Sequence, residues 1–475
     1  MVFWGRLRAD FGGQYMCLII VFFALVKGFS GGIVRGLALP YFQDVLGADL
    51  AEYHVVYTFV LIMPWCLKPL FGVLSDLFPL CGYRKRYYIG GACLITSGAC
   101  VTLSQERLGL HDAMIAVSVA TTGIVFADLL MEASYSEMLR EKANLSGNTV
   151  VLFAWGVCIV GFAVSAVAAG FLADAGHSVD GFGIAAVAPL LFTLAVGYLP
   201  ERRSCLASAK ISRYKGYAGI AVLMSLSALG CASAMVTLSS GAVAGITACL
   251  CGLVFYMSRT VLTDTMFRCN LFMFFADAVH VNFVGATDYF YTSECVGAPN
   301  FDYRFYTTYS MLLASLFAFA GIVGFAYLQH LSIKALFSGL TLLRVIAASV
   351  EVLQAARLNA RAGIDDHTFY LLGEAVVQPV VSMLFAVPMI VLTARLVTPG
   401  SEAMCYALLA GTQNLGLLAG SVAGQVVTEA YDLTGCNFEG LPGALVFGHM
   451  AMPLLCVPLA HLLLPDLTLA KTPPG

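Results

Sequence analysis

The sequence predicts an all-α membrane protein with fourteen spanning helices, and three observations support this. Of 475 residues, 60% are hydrophobic and only 11% are charged, with a mean hydropathy of +0.86. A soluble domain carries roughly 25% charged residues, so this chain has more apolar side chain than one water-facing globule could bury. Apolar runs of the length that crosses a bilayer, about 20 residues, recur along the whole chain. Lys and Arg then collect in alternate connections between those runs. The net charge of −3 offers no basic field for nucleic acid. Most of the 15 cysteines sit inside apolar runs as small packing residues, which excludes a disulfide scaffold.

The first run, near 15–43, follows Arg6 and Arg8. It is too long for a cleaved leader and contains Lys27 and Arg35, so it reads as a retained span. Spans near 53–74, 87–104, 113–135, 149–172 and 184–199 complete a first half, residues 1–200. A basic stretch from Pro200 to Lys215 and a helix pair near 217–235 and 238–257 form a middle segment, 201–266. The second half, 267–475, has spans near 267–291, 303–328, 333–355, 369–397, 402–427 and 442–464. Of the 25 Lys and Arg residues, Lys27, Arg35, Lys68 and Arg344 fall within spans. With the N-terminus inside, Arg107, Arg304, Arg357 and Arg361 face outward and the remaining seventeen face inward. Both termini are therefore expected in the cytoplasm, and the plasma membrane is the expected location. The sequon Asn144-Leu145-Ser146 then lies on the inner side. Only Cys295 and Cys436 fall clearly in outer loops, where a disulfide between them is a hypothesis.

Between the second and third spans stand Gly72-Val73-Leu74-Ser75-Asp76 and Gly82-Tyr83-Arg84-Lys85-Arg86. The glycine lets helices approach closely, the aspartate sits at the inner mouth, and the basic cluster suits an anionic leaflet. This loop resembles the signature of the major facilitator superfamily. The resemblance implies two six-helix halves around a central cavity, here with an extra helix pair between them. It also implies a conformational latch of Gly72, Asp76, Arg84 and Arg86. The partner expected for Asp76 is the N-terminus of the span that starts at Pro399-Gly400-Ser401-Glu402, where free amides favour an anion. The matching stretch of the second half, Gly321 to Lys334, has no comparable aspartate.

A narrower resemblance rests on Met63-Pro64-Trp65-Cys66-Leu67-Lys68-Pro69 running on to Asp76, on Phe126-Ala127-Asp128-Leu129-Leu130-Met131-Glu132, and on Val387-Pro388-Met389 with Pro399 to Ala403. These closely resemble the folate–biopterin transporter family, most of all its protozoan branch. The resemblance implies a small-molecule substrate: a folate, a pterin or S-adenosylmethionine.

An ionisable residue at mid-membrane costs roughly 2.5–3.5 kcal/mol on insertion scales, and this chain places at least nine within spans. Seven fall on the four helices that the resemblance assigns to the cavity. Those helices carry Lys27 and Arg35; Asp128 and Glu132; Asp277, His280 and Asp288; Glu374 and Gln378. Lys27 and Arg35 lie about 80° apart around a helix, Asp128 and Glu132 are one turn apart, and Asp277 and Asp288 fall close to one face. All nine residues named are expected to contact substrate. A carboxylate from Asp128, Glu132 or Glu374 suits the paired amino and N–H donors of a pterin, while Lys27 and Arg35 suit the anionic tail of folate. The competing expectation is that these charges only pair across helices, and it is preferred for Arg344 and Glu351. Lys68 either snorkels to the headgroups or joins the interior. The remaining histidines, among them His54 and His449, read as incidental.

Gly416, Gly420 and Gly424 share a spacing of four with Gly161, Ser165 and Ala169 in the other half, as close helix packing requires. No GxxxxGK[ST] motif occurs, so a gradient rather than ATP is the expected energy source. Asp128 and Glu132 are the expected proton carriers. HExxH, a nucleophile elbow and a clustered His–Cys site are also missing from the sequence, so neither enzymatic activity nor a cofactor or metal is expected. The alternative is a carrier of S-adenosylmethionine or another organic cation.

Overall fold

Helices follow one another from end to end, and no strand occurs among the described residues of this computed structural model, which are all except 1–7, 10, 106–107, 142–146, 204–207, 397–401 and 470–475. The sequon and the segment Pro399 to Ser401 lie outside the described residues. In the first half the helices are α1 (Gly13–Val45), α2 (Leu50–Leu77), α3 (Arg86–Leu103), α4 (Leu110–Met138), α5 (Val150–Asp174) and α6 (Ser178–Tyr198). The pair α7 (Tyr214–Thr237) and α8 (Ser240–Val261) follows. The rest comprises α9 (Asp264–Ala278), α10 (Val284–Thr292), α11 (Arg304–Leu328), α12 (Ile333–Ala355), α13 (Asp366–Leu396), α14 (Glu402–Ala430) and α15 (Leu441–Leu463). Eleven of these are long and apolar enough to cross a membrane.

The span expected near 267–291 is not one helix. It breaks between Ala278 and Val284, which corrects the reading that Asp277 and Asp288 share a face. Neighbouring helices satisfy the backbone freed by the break. The Val281 amide donates to the Gly448 carbonyl at 3.3 Å, and the Asn282 amide to that of Gly420 at 3.1 Å. The Asn282 side chain, two residues ahead of α10, also accepts from the Val284 amide at 2.9 Å. Irregular backbone survives at membrane depth only when buried in protein in this way.

Two glycine contacts set the packing around α1 and the break. A Cβ on Gly161 of α5 would stand 2.1 Å from the Ala24 carbonyl of α1, and one on Gly424 of α14 would stand 1.8 Å from the Asn282 carbonyl. Each stripe of small residues thus brings its helix against backbone rather than side chain. One apolar cluster joins α1, α3, α4, α5 and α6, and a second joins α9, α11, α12, α13 and α15. Helix α7 lies across the seam between them. Its Ile220 and Met224 pack with Met63 and Cys66 of α2 and with Cys405 and Leu408 of α14. At one end of the bundle Cys295 and Cys436 are joined in a disulfide, which links the loop after α10 to the loop after α14.

Candidate functional site

Asp128 and Glu132 are one turn apart on α4, so both carboxylates project the same way. Facing them are Lys27 of α1 and Lys68 of α2. Lys27 Nζ lies 2.7 Å from Asp128 Oδ1 and 3.9 Å from Glu132 Oε1, while Lys68 Nζ lies 3.0 Å from Asp128 Oδ2 and 3.1 Å from Glu132 Oε2. Asp128 is 0% exposed and each lysine 4%. Trp155 and Trp65 close the group, with ring centres 4.4 Å from Lys27 Nζ and 4.9 Å from Lys68 Nζ. Tyr406 of α14 also lies within electrostatic reach of Glu132 across the seam. Two cations and two carboxylates close the charge without a proton. Two expectations change accordingly: Lys68 does not snorkel, and Lys27 is held by carboxylates rather than open to an anionic tail.

Arg35 is separate from that quartet. Its guanidinium lies 3.4 Å from the Tyr57 hydroxyl and within electrostatic reach of Tyr53 and Asp288. Asp288 accepts a hydrogen bond from Tyr306 at 2.7 Å and another from Tyr53. Arg35 remains exposed although it lies on a spanning helix and points among α1, α2 and α10. Tyr370 of α13 stands 5.7 Å from Tyr306, ring centre to ring centre, and Glu374 follows it by one turn.

The second half holds the remaining charges. Asp277 lies within electrostatic reach of Arg344, which sits 5.0 Å over the Phe385 ring, and its Oδ2 atom has no hydrogen-bond partner among the described residues. Glu351 Oε2 contacts His449 Nδ1 at 2.7 Å, and His449 Nε2 lies 2.8 Å from the Val281 carbonyl at the helix break. His280 packs its ring 4.4 Å from that of His449. Glu374 faces Glu351, and its Oε1 atom has no hydrogen-bond partner among the described residues. Gln378, one turn on, is half-buried. His449 is therefore not incidental, and neither is His54, which contacts the Ser421 carbonyl at 2.9 Å. The sequence reading left the place of Lys68 open and missed Tyr53, Tyr57, Tyr306 and His449. An ionisable group inside an apolar run was the available signal for Lys68 and His449.

At the end of the bundle away from the disulfide, Asp76 accepts a hydrogen bond from the Met404 amide at 3.1 Å, in the first turn of α14. The backbone amides of Arg84, Lys85 and Arg86 donate to the Glu201 carboxylate at 2.6, 2.9 and 3.0 Å. The Arg86 guanidinium donates to the Leu199 carbonyl at 2.6 Å. Gly72 is buried one turn before Asp76 and accepts from the Ser75 hydroxyl at 3.2 Å.

A match to the BT1 family spans residues 27–472. The chain belongs to that family. A "Folate-biopterin transporter" of Synechocystis is 27% identical over 461 residues, which cover 95% of this chain and 81% of that one. "Folate transporter 1" of Plasmodium falciparum is 21% identical over 397 residues, 82% of this chain and 68% of that one. Among solved structures, an auto-inhibited peptide transporter of the POT family superposes with a TM-score of 0.68 at 15% identity, covering 97% of this chain and 99% of that one. The BT1-family chain therefore has the major facilitator fold and is an integral membrane transporter, not an enzyme. The loop from Gly72 to Arg86 and the quartet both lie within the matched span.

Proposed function

We propose that this transporter carries a folate or pterin-type compound by alternating access, driven by protons, in the plasma membrane with both termini cytoplasmic. The observation that best supports a folate-like substrate is Arg35: a permanent cation, exposed on a spanning helix, beside Tyr57 and Tyr53 and within reach of Asp288, which accepts from Tyr306. Such a site receives a carboxylate tail bidentately. Glu374 is placed to meet the paired donors of a pteridine, since its Oε1 atom is unpartnered. The latch residues Gly72, Asp76, Arg84 and Arg86 would hold one end closed while the other opens. The names of the relatives, a folate–biopterin and a folate transporter, agree with this reading.

The test is competitive uptake. Labelled folate uptake should be inhibited by unlabelled biopterin, and Arg35→Gln should impair folate uptake more than biopterin uptake, because biopterin lacks the anionic tail. Equal losses for the two would overturn the role of Arg35. One observation favours a second reading, S-adenosylmethionine or another organic cation. Near mid-span the six carboxylates Asp128, Glu132, Asp277, Asp288, Glu351 and Glu374 outnumber the four cations Lys27, Arg35, Lys68 and Arg344. Inhibition of labelled uptake by S-adenosylmethionine alone would favour it.

A further inference from the structure

The excess of carboxylates is not spread evenly. The quartet closes its own charge, Arg35 stands against Asp288, and Arg344 stands against Asp277. What remains is Glu351 and Glu374, with His449 between Glu351 and the break in the helix. The heavy-atom distances fix how many protons this group needs. His449 Nε2 is 2.8 Å from the Val281 carbonyl, which only accepts, so Nε2 carries a hydrogen. His449 Nδ1 is 2.7 Å from Glu351 Oε2, so a second hydrogen lies between them, whether as imidazolium and carboxylate or as imidazole and carboxylic acid. Either arrangement holds one proton more than a neutral histidine beside an ionised glutamate.

We propose that the Glu351–His449 pair is the proton-binding site of this transporter, and that its proton controls the break between α9 and α10. Loss of that proton leaves two acceptors facing each other at the Glu351 contact. The histidine can avoid this by moving its remaining hydrogen to Nδ1, but it then releases the Val281 carbonyl. One of two contacts fails in either case: that between α12 and α15, or that between α15 and the break. Five further titratable groups face the pair among the described residues. Glu374 opposes the charge of Glu351, the Tyr291 hydroxyl lies within electrostatic reach of both glutamates, the His280 ring packs on His449, and Arg344 and Asp277 lie beyond His280. Of these, Glu374 favours retention of the proton and Arg344 its release. This places coupling in the second half rather than at Asp128 and Glu132, whose charges the two lysines already match.

The proposal rests on the reading of the protein as a proton-driven carrier, so its test has two separate readouts. Glu351→Gln keeps a donor to Nδ1 and thereby mimics the protonated pair. In the first readout, purified full-length protein without substrate is taken through a pH change of about 5 to 9, and proton release is measured with an indicator dye. Glu351→Gln should release one proton fewer than wild type, and an equal release would overturn the site. In the second, proteoliposomes are given labelled folate with and without a pH gradient. Glu351→Gln should still exchange folate at equal pH but lose gradient-driven accumulation. Accumulation retained in Glu351→Gln, or driven by sodium instead in wild type, overturns the proposal. Absence of folate exchange in wild type, with the proton deficit of Glu351→Gln intact, refutes the substrate and upholds the proton site.

Discussion

A lysine with 4% of its surface exposed keeps its charge only beside anions, and Lys68 has two of them at 3.0 and 3.1 Å. Removing one partner of such a group strands the other charge, which costs about 3–5 kcal/mol. Lys68→Met should therefore lower the thermal unfolding midpoint in detergent sharply, because Asp128 and Glu132 would then share Lys27 alone. The double variant Lys68→Met with Glu132→Gln restores one cation to one carboxylate and should recover much of that loss. A double variant no more stable than the single one would show that charge balance does not hold this group together. The sequence revealed how deep Lys68 lies but not its partners, because those come from another helix. The same holds for His449, whose two contacts reach α12 and the helix break. The residues read most directly were Asp128 and Glu132, since a spacing of four places both on one helix face regardless of the tertiary structure.

Several of the charged or hydrogen-bonding groups at issue sit where a helix widens to five-residue hydrogen bonding. Lys27 lies in Val21–Ser30, Tyr306 in Arg304–Tyr309, Glu374 in Leu371–Val377 and His449 in Val446–Ala451. Such turns are rare and concentrate at functional sites. They also shift the angular position of every later side chain, so the 3.6-residue period gave misleading faces. Lys27 and Arg35 point to different partners, and the break in α9–α10 separates Asp277 from Asp288 altogether. The small-residue stripes were legible because a spacing of four is a packing rule independent of the break. Their role is testable at Gly424, where a Cβ would stand 1.8 Å from the Asn282 carbonyl. Gly424→Leu should force α14 off the break, at a cost of about 1–3 kcal/mol or more, and reduce both folded yield and uptake. Gly98→Ala, where nothing lies within 4 Å of the new Cβ, should leave both near wild type. Normal yield and uptake in Gly424→Leu would mean that α14 does not depend on that close approach.

At the scale of the whole molecule, the two halves meet through contacts that differ at the two ends. Near the disulfide the Tyr289 hydroxyl hydrogen-bonds the Ala48 carbonyl and Thr292 donates to Gln43 at 3.3 Å, both across the halves. At the opposite end Asp76 of the first half meets the Met404 amide of the second. The disulfide itself joins two loops of the second half, so it does not tie one half to the other. The Asp76 contact was legible because a short motif named the aspartate and the start of a helix supplied the amide; the tyrosine contacts had no such sequence mark. A carboxylate at a helix N-terminus contributes about 0.3–1 kcal/mol at an exposed site and up to about 2 kcal/mol when partly buried. Asp76→Asn gives up most of that while keeping a similar shape, so the ratio of closed to open at this end should fall by up to about thirtyfold, taking a factor of ten per 1.4 kcal/mol. Spin labels at exposed Leu80 and Arg268, one in each half, should then report a larger share of long distances by double electron–electron resonance. An unchanged distribution would mean that Asp76 caps α14 without biasing which end of the transporter opens.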